Sequence, residues 1–210
     1  MSCRARIPGP AWPLLTLLLG APLIPAAETP VVDLAALAAM QAQHTSISGA
    51  FQWSVQKDGE ARQQVGAFGL DRGAGRLRYE VRMANPDGSE LKRWCSDGTQ
   101  SWQIEQLLEG EAPDVVLGEN PDIRRVIACV WLDLPTLEQD FTITYEPTAQ
   151  LLTLIPRDPD LARSLAQVTV RLQDHRPVTV ILEDPQHDRI IVTLTEVTMD
   201  QPLDERRFRR

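Results

Sequence analysis

The sequence predicts a mainly β (α+β) protein: a curled antiparallel sheet forming an incomplete barrel with a short helical lid. Three observations predict it. Apolar and polar residues alternate with period two, as in Leu77, Tyr79, Val81 and Met83 against Arg76, Arg78, Glu80 and Arg82. Short turn signals separate the runs, and links of that length join antiparallel neighbours. One stretch, following Asn120, keeps the helical period clearly. About ten strands then offer one long apolar face, and a sheet that large must curl. One or two short helices are all that the sequence supplies to cover it.

The chain opens with Arg4 and Arg6, an apolar run from Ala11 to Ile24, and small residues at Ala26 and Ala27. That charged, apolar, small-residue order is the pattern of a signal peptide. The run is short for a bilayer span, which needs roughly 20 apolar residues, and Pro13 and Pro22 interrupt it. Residues 1–27 are therefore expected to be a signal peptide, and 28–210 one domain. Mature protein would start at Glu28 or Ala27; an uncleaved anchor is the alternative. No cysteine follows the cut directly, so a lipid-anchored start is not expected.

A helix is expected from Leu34 to about His44, capped by Asp33. Strand patterns follow. Phe51, Trp53 and Val55 alternate with Ala50, Gln52 and Ser54; Phe141, Ile143 and Tyr145 alternate with threonines. Val168, Val170 and Leu172 come next, then Val178, Val180 and Leu182, then Ile190, Val192 and Leu194. Turns are expected at Lys57-Asp58-Gly59, Pro86-Asp87-Gly88, Ser96-Asp97-Gly98, Glu146-Pro147 and Asp184-Pro185. The clear helix has Asn120 as its cap and Pro121 in its first turn. Ile123, Val126, Ile127, Val130, Trp131 and Leu134 form its apolar stripe, and Pro135 is expected to end it. A further helical turn is expected over 136–139. Before the helix lies an acidic loop with Glu109, Glu111 and Asp114.

Composition narrows the function. The whole chain carries −8, and losing Arg4 and Arg6 with the leader takes the mature part to about −10. An acidic surface disfavours nucleic acid and anionic headgroups. The terminal Arg206, Arg207, Arg209 and Arg210 read as a solvated end. After Cys3 leaves with the leader, Cys95 and Cys129 remain at a spacing that fits no redox or zinc motif. An oxidising compartment favours pairing them, whereas the position of Cys129 off the helix's apolar stripe opposes it; both states stay open. His44, His175 and His187 lack a second ligand at metal spacing. No Gly-x-Ser-x-Gly elbow occurs, no glycine-rich loop opens a helix, and the acids are scattered. No metal, no cofactor and no catalytic residue is expected.

Several short segments resemble, in order, those of the periplasmic outer-membrane lipoprotein carriers, the LolA-like family. Thr45-Ser46-Ile47-Ser48-Gly49-Ala50-Phe51-Gln52 is similar to that family's entry to the first strand, and Gly75-Arg76-Leu77-Arg78-Tyr79 to its "F-R-W" strand. Ser96-Asp97-Gly98-Thr99-Gln100-Ser101-Trp102 is similar to "S-D-G-x-x-L-W", and Leu151-Leu152-Thr153-Leu154-Ile155-Pro156-Arg157 to "F-x-L-x-P-K". The resemblance spans nearly all of the mature part. It implies a soluble periplasmic monomer that takes acylated lipoprotein or lipid cargo from an inner-membrane donor complex and passes it to an outer-membrane acceptor, without stable membrane insertion.

The cavity wall so implied comprises Phe51, Trp53, Val55, Phe68, Leu77, Tyr79, Trp102, Ile104, Val130, Trp131, Phe141, Ile143, Val170, Val180 and Val192. In the family an arginine and then a proline precede the "F-R-W" strand, and the arginine is taken as a latch on the lid. Here those places hold Gly73 and Ala74, with Arg72 one residue earlier, so the latch role of Arg72 is open. The second reading is a sensor or protein-binding module of the same fold. Members of that kind carry a further domain, which this sequence is not expected to include.

Overall fold

A computed structural model describes residues 33–73, 75–84, 90–105 and 114–209, with the side chains of Glu90 and Leu91 excepted. The leader with its cleavage site, Ala74, the Pro86-Asp87-Gly88 turn, Glu109, Glu111 and Arg210 lie outside the described residues. The described residues fall in one unit, Val31–Arg210.

The element order is α1 (Leu34–Ala42), β1 (Ser46–Lys57), β2 (Glu60–Asp71), β3 (Arg78–Ala84), β4 (Glu90–Ser96), β5 (Ser101–Glu105) and β6 (Asp114–Leu117). It continues with α2 (Pro121–Trp131), α3 (Leu134–Asp140), β7 (Phe141–Glu146), β8 (Leu151–Pro156), α4 (Pro159–Ala162), β9 (Gln167–Gln173), β10 (Arg176–Glu183) and β11 (Arg189–Met199). A 3-10 turn, Glu205–Phe208, follows. The eleven strands form one antiparallel sheet in the order β6-β5-β4-β3-β2-β1-β11-β10-β9-β8-β7. Its edges, β6 and β7, do not pair with each other, so the barrel stays open. The expected fold class is the one observed.

Local chemistry explains the longest hairpin. β1 and β2 pair without a break from Ser46↔Asp71 to Lys57↔Glu60. Asp58 and Gly59 both take positive φ (52° and 81°), which the tight two-residue turn requires. Gly66 lies opposite Phe51, and a Cβ there would sit 2.2 Å from the ring carbon Cζ. The missing side chain is what lets the Phe51 ring lie across β2.

Both predicted N-caps form. Asp33 accepts from the Ala36 amide at 2.7 Å. Asn120 accepts from the amides of Asp122 and Ile123 at 3.0 and 3.2 Å. Two boundaries differ from expectation. α1 stops at Ala42 rather than His44. α2 ends at Trp131, because Leu132 turns left-handed (φ 51°) and the Asp133 amide returns to the Ala128 carbonyl. Pro135 thus sits in the first turn of α3 instead of stopping α2. Its missing N–H costs nothing there. The core lies between the concave face of the sheet and α2, where Ile123, Ile127, Val130 and Trp131 meet strand residues such as Phe51, Phe68 and Val192.

Candidate functional site

Pairing register fixes which side chains face α2. Residues directly opposite in an antiparallel pair share a face. Phe51, Trp53 and Val55 of β1 stand opposite Leu194, Val192 and Ile190 of β11. Val192 stands opposite Val180, and Val180 opposite Val170. This row is the concave face.

Two spaces adjoin α2. Beneath the helix is a slot of about 30 Å³ with an all-apolar lining, to which Phe51, Trp53, Phe68, Val130 and Val192 contribute. It has roughly the room of one water, so the lid is closed. Beside the second half of α2 is a cavity of about 740 Å³. Leu77, Tyr79 and Trp131 line it, together with Arg72, Arg76, Ser101 and Arg124. Ile127 borders both spaces. Burial raises the Tyr79 phenol above its ordinary value, and its hydrogen bond with Ser101 partly offsets this.

The other expected wall residues divide. Val55 lines a space of about 270 Å³ with Leu161, Leu165 and Leu182. Phe141 lines one of about 180 Å³ with Pro121 and Ala128. Val170 and Val180 are fully buried core, and Ile143 packs on that core.

Trp102 and Ile104 do not belong to the concave wall. Trp102 stands opposite Cys95, which stands opposite Glu80; Ile104 stands opposite Arg93. All of these are on the convex face, and it is Ser101 and Gln103 that point inward. The C-terminal segment packs on β3 and β4 of this convex face, where Phe208 and Trp102 border one recess.

That segment corrects a second expectation. Arg207 donates from Nε to the fully buried carboxylate of Glu80 at 2.7 Å, and Arg93 donates to Glu80 at 2.9 Å. Arg93 also reaches the carbonyls of Arg207 and Arg209. Phe208 is 1% exposed, with the Arg78 guanidinium 4.9 Å from its ring centre. Arg207 and Phe208 thus clamp the tail to the sheet, whereas Arg206 and Arg209 stay exposed as expected. The signal available in the sequence was Phe208 among the arginines, since an aromatic residue there has area to bury.

Cys95 and Cys129 are both buried and not joined by a disulfide. Cys95 is on the convex face beside Glu80, and Cys129 is on α2 over the concave face, so the sheet separates them.

Arg72 follows β2 and reaches the lid. Its guanidinium lies 4.4 Å over the Trp131 ring and 3.2 Å from the Asp133 carboxylate. Burial lowers its pKa, and Asp133 opposes the shift. The displaced arginine therefore meets both ends of the α2–α3 link.

The class these features define is an open antiparallel half-barrel with a helical lid. No protein-family model and no curated protein matches the sequence. Solved structures do. The complex of Pseudomonas aeruginosa MucA and MucB is similar over 86% of this chain and 60% of that one, at 11% identity and a TM-score of 0.50. A DUF1329 family protein from Desulfovibrio piger is similar over 86% and 97%, at 9% identity and a TM-score of 0.48. A LolA superfamily protein from Nitrosomonas europaea is similar over 80% and 91%, at 12% identity and a TM-score of 0.44. This chain spans about 60% of the length of the MucB chain it matches. At these identities the likeness is one of fold. Among the described residues no helix is long and apolar enough to cross a membrane.

Proposed function

We propose that this protein is an exported, non-catalytic carrier that binds acyl chains of lipoproteins or related lipids between the concave sheet and α2. In this reading it works in the periplasm and passes its cargo from an inner-membrane donor to an outer-membrane acceptor. One observation carries the reading: the slot under α2 has an all-apolar lining on both the sheet and the helix side. Burying an Ile or Val side chain, the kinds α2 presents to the slot, stabilises by roughly 1.5–3 kcal/mol. An acyl chain contributes about 0.8 kcal/mol per methylene buried. A few methylenes can thus replace one side chain of α2, and opening the lid becomes an exchange of like surfaces. That exchange keeps binding loose enough for hand-off. The test is displacement of a fluorescent fatty-acyl probe by a diacylglyceryl lipopeptide. No probe uptake would end the carrier reading.

A second reading, a protein-binding or sensor module, is supported by the likeness to MucB, which has been crystallised in complex with MucA. Protein purified from the periplasm discriminates. Copurifying lipid favours the carrier; a stoichiometric protein partner on lipid-free protein favours the module.

A further inference from the structure

We propose that the cavity beside α2 receives an anionic head group, so that the ligand is an acidic amphiphile whose acyl tail enters the slot under α2. The inference rests on the acyl-binding reading and narrows its ligand class. The chain as a whole carries −8, yet this cavity is lined by Arg72, Arg76 and Arg124 against Glu119 and Asp133. Three arginines against two carboxylates leave one net positive charge in a concave site of an acidic protein, where the local potential departs from that of the whole surface. The overall charge, which disfavours anions, does not describe this place.

The three guanidiniums are not equally committed. Arg72 faces Asp133 at 3.2 Å, and Arg124 faces Glu119 at 3.3 Å. Arg76 donates to the Thr99 hydroxyl at 2.8 Å and makes no salt bridge within 4 Å among the described residues, its nearest electrostatic partner being the carboxylate of Asp97. A phosphate or carboxylate offers only acceptors, which suits guanidinium forks and hydroxyl donors. A neutral sugar or glycerol head gains nothing comparable from them. Next to this polar rim, Leu77, Ile127 and Trp131 give the cavity an apolar wall. Ile127 alone among α2 residues borders both spaces, so its displacement would join head-group cavity to tail slot. Polarity thus changes along one path in the order that an acidic amphiphile presents.

The experiment follows tryptophan fluorescence of the exported protein, since Trp131 borders the cavity. The probes are dodecyl phosphate, dodecyl maltoside and inorganic phosphate, each below any micellar concentration. Dodecyl phosphate is expected to bind about tenfold tighter than the maltoside, the size of one charge-assisted hydrogen bond. The preference is expected to shrink in high salt, to fall in Arg76→Gln, and to disappear in Arg76→Gln/Arg124→Gln. Both side chains are exposed enough to be replaced without loss of the fold, which an unchanged melting temperature checks. Equal affinities, or a preference that survives the double variant, would overturn the head-group inference and leave the acyl reading standing. Inorganic phosphate binding as tightly as dodecyl phosphate would show that the tail adds nothing and overturn the amphiphile inference together with the acyl reading. Failure of both amphiphiles to bind overturns the two together.

Discussion

The guanidinium of Arg72 lies 4.4 Å above the ring of Trp131, joining the end of β2 to the last residue of α2. Asp133, two residues on, holds the same cation at 3.2 Å. A partly buried cation–π contact with an ion pair contributes about 1 kcal/mol. Arg72→Ala is expected to cost about that in stability and to speed acyl-probe association in stopped-flow fluorescence, because the lid is freed. An unchanged association rate would remove the latch role. Trp131→Phe keeps a ring for Arg72 and removes an indole N–H that is buried without a partner. It is expected to be neutral or stabilising in urea titration.

Trp53 and Trp102 separate the two faces of the sheet. Trp53 borders the apolar slot, whereas Trp102 faces the C-terminal clamp. Trp53→Asp places a charge without a partner in the slot and is expected to weaken acyl binding by about tenfold or more. Trp102→Asp is expected to leave acyl affinity within about twofold while lowering stability by a few kcal/mol. Equal loss of acyl affinity in both would return Trp102 to the binding wall.

The clamp centres on Glu80, which is 0% exposed and bonded to Arg82, Arg93 and Arg207. Removing one partner of a buried ion network leaves charge uncompensated. Glu80→Ala is expected to cost about 3 kcal/mol. Arg207→Ala should cost about as much, roughly 3 kcal/mol, since Arg82 and Arg93 both meet Oε1 and the buried Oε2 loses the donor it has from Arg207. Urea unfolding compares the two, and limited proteolysis should cut Arg207→Ala near the C-terminus first.

Acid should weaken the fold from the carboxylate side. The Glu183 carboxyl is held below its ordinary value by hydrogen bonds from His187, then from Arg189. Asp200 is lowered likewise, first by His44 and then by the Thr45 amide. A depressed folded pKa contributes stability that is present above the unfolded pKa and is lost as pH falls through the folded one. Unfolding free energy is therefore expected to fall below the ordinary carboxylate range, and Glu183→Gln should flatten that limb. An acid limb of the same slope in the variant would assign the loss to other groups.

Burial pushes the Cys129 thiol up to about 12. At pH 8 it should resist an aromatic disulfide reagent until the protein unfolds, because the thiolate is the reactive form. Unreduced protein starting at Glu28, once denatured, is expected to titrate two thiols. None would show that Cys95 and Cys129 pair despite the intervening sheet.

Much of this protein is local, and its sequence determines that part. The caps Asp33 and Asn120, the Asp58-Gly59 turn and the parity of each strand follow from neighbours a few residues apart. Enough strands with one apolar side and too few helices to cover them dictate an open, lidded sheet. Parity, however, says only which residues of a strand share a face, not which face it is. Trp102 and Ile104 look like cavity wall until β4–β5 pairing sets them beside Cys95 and Arg93 on the convex side. The arginine-rich tail looks solvated until Glu80, 127 residues earlier, is brought beneath Arg207. Arg72, one place out of the resembled motif, still meets Trp131 because a long side chain reaches across that offset. Such decisions belong to tertiary structure, since they depend on contacts between residues that no local pattern brings together.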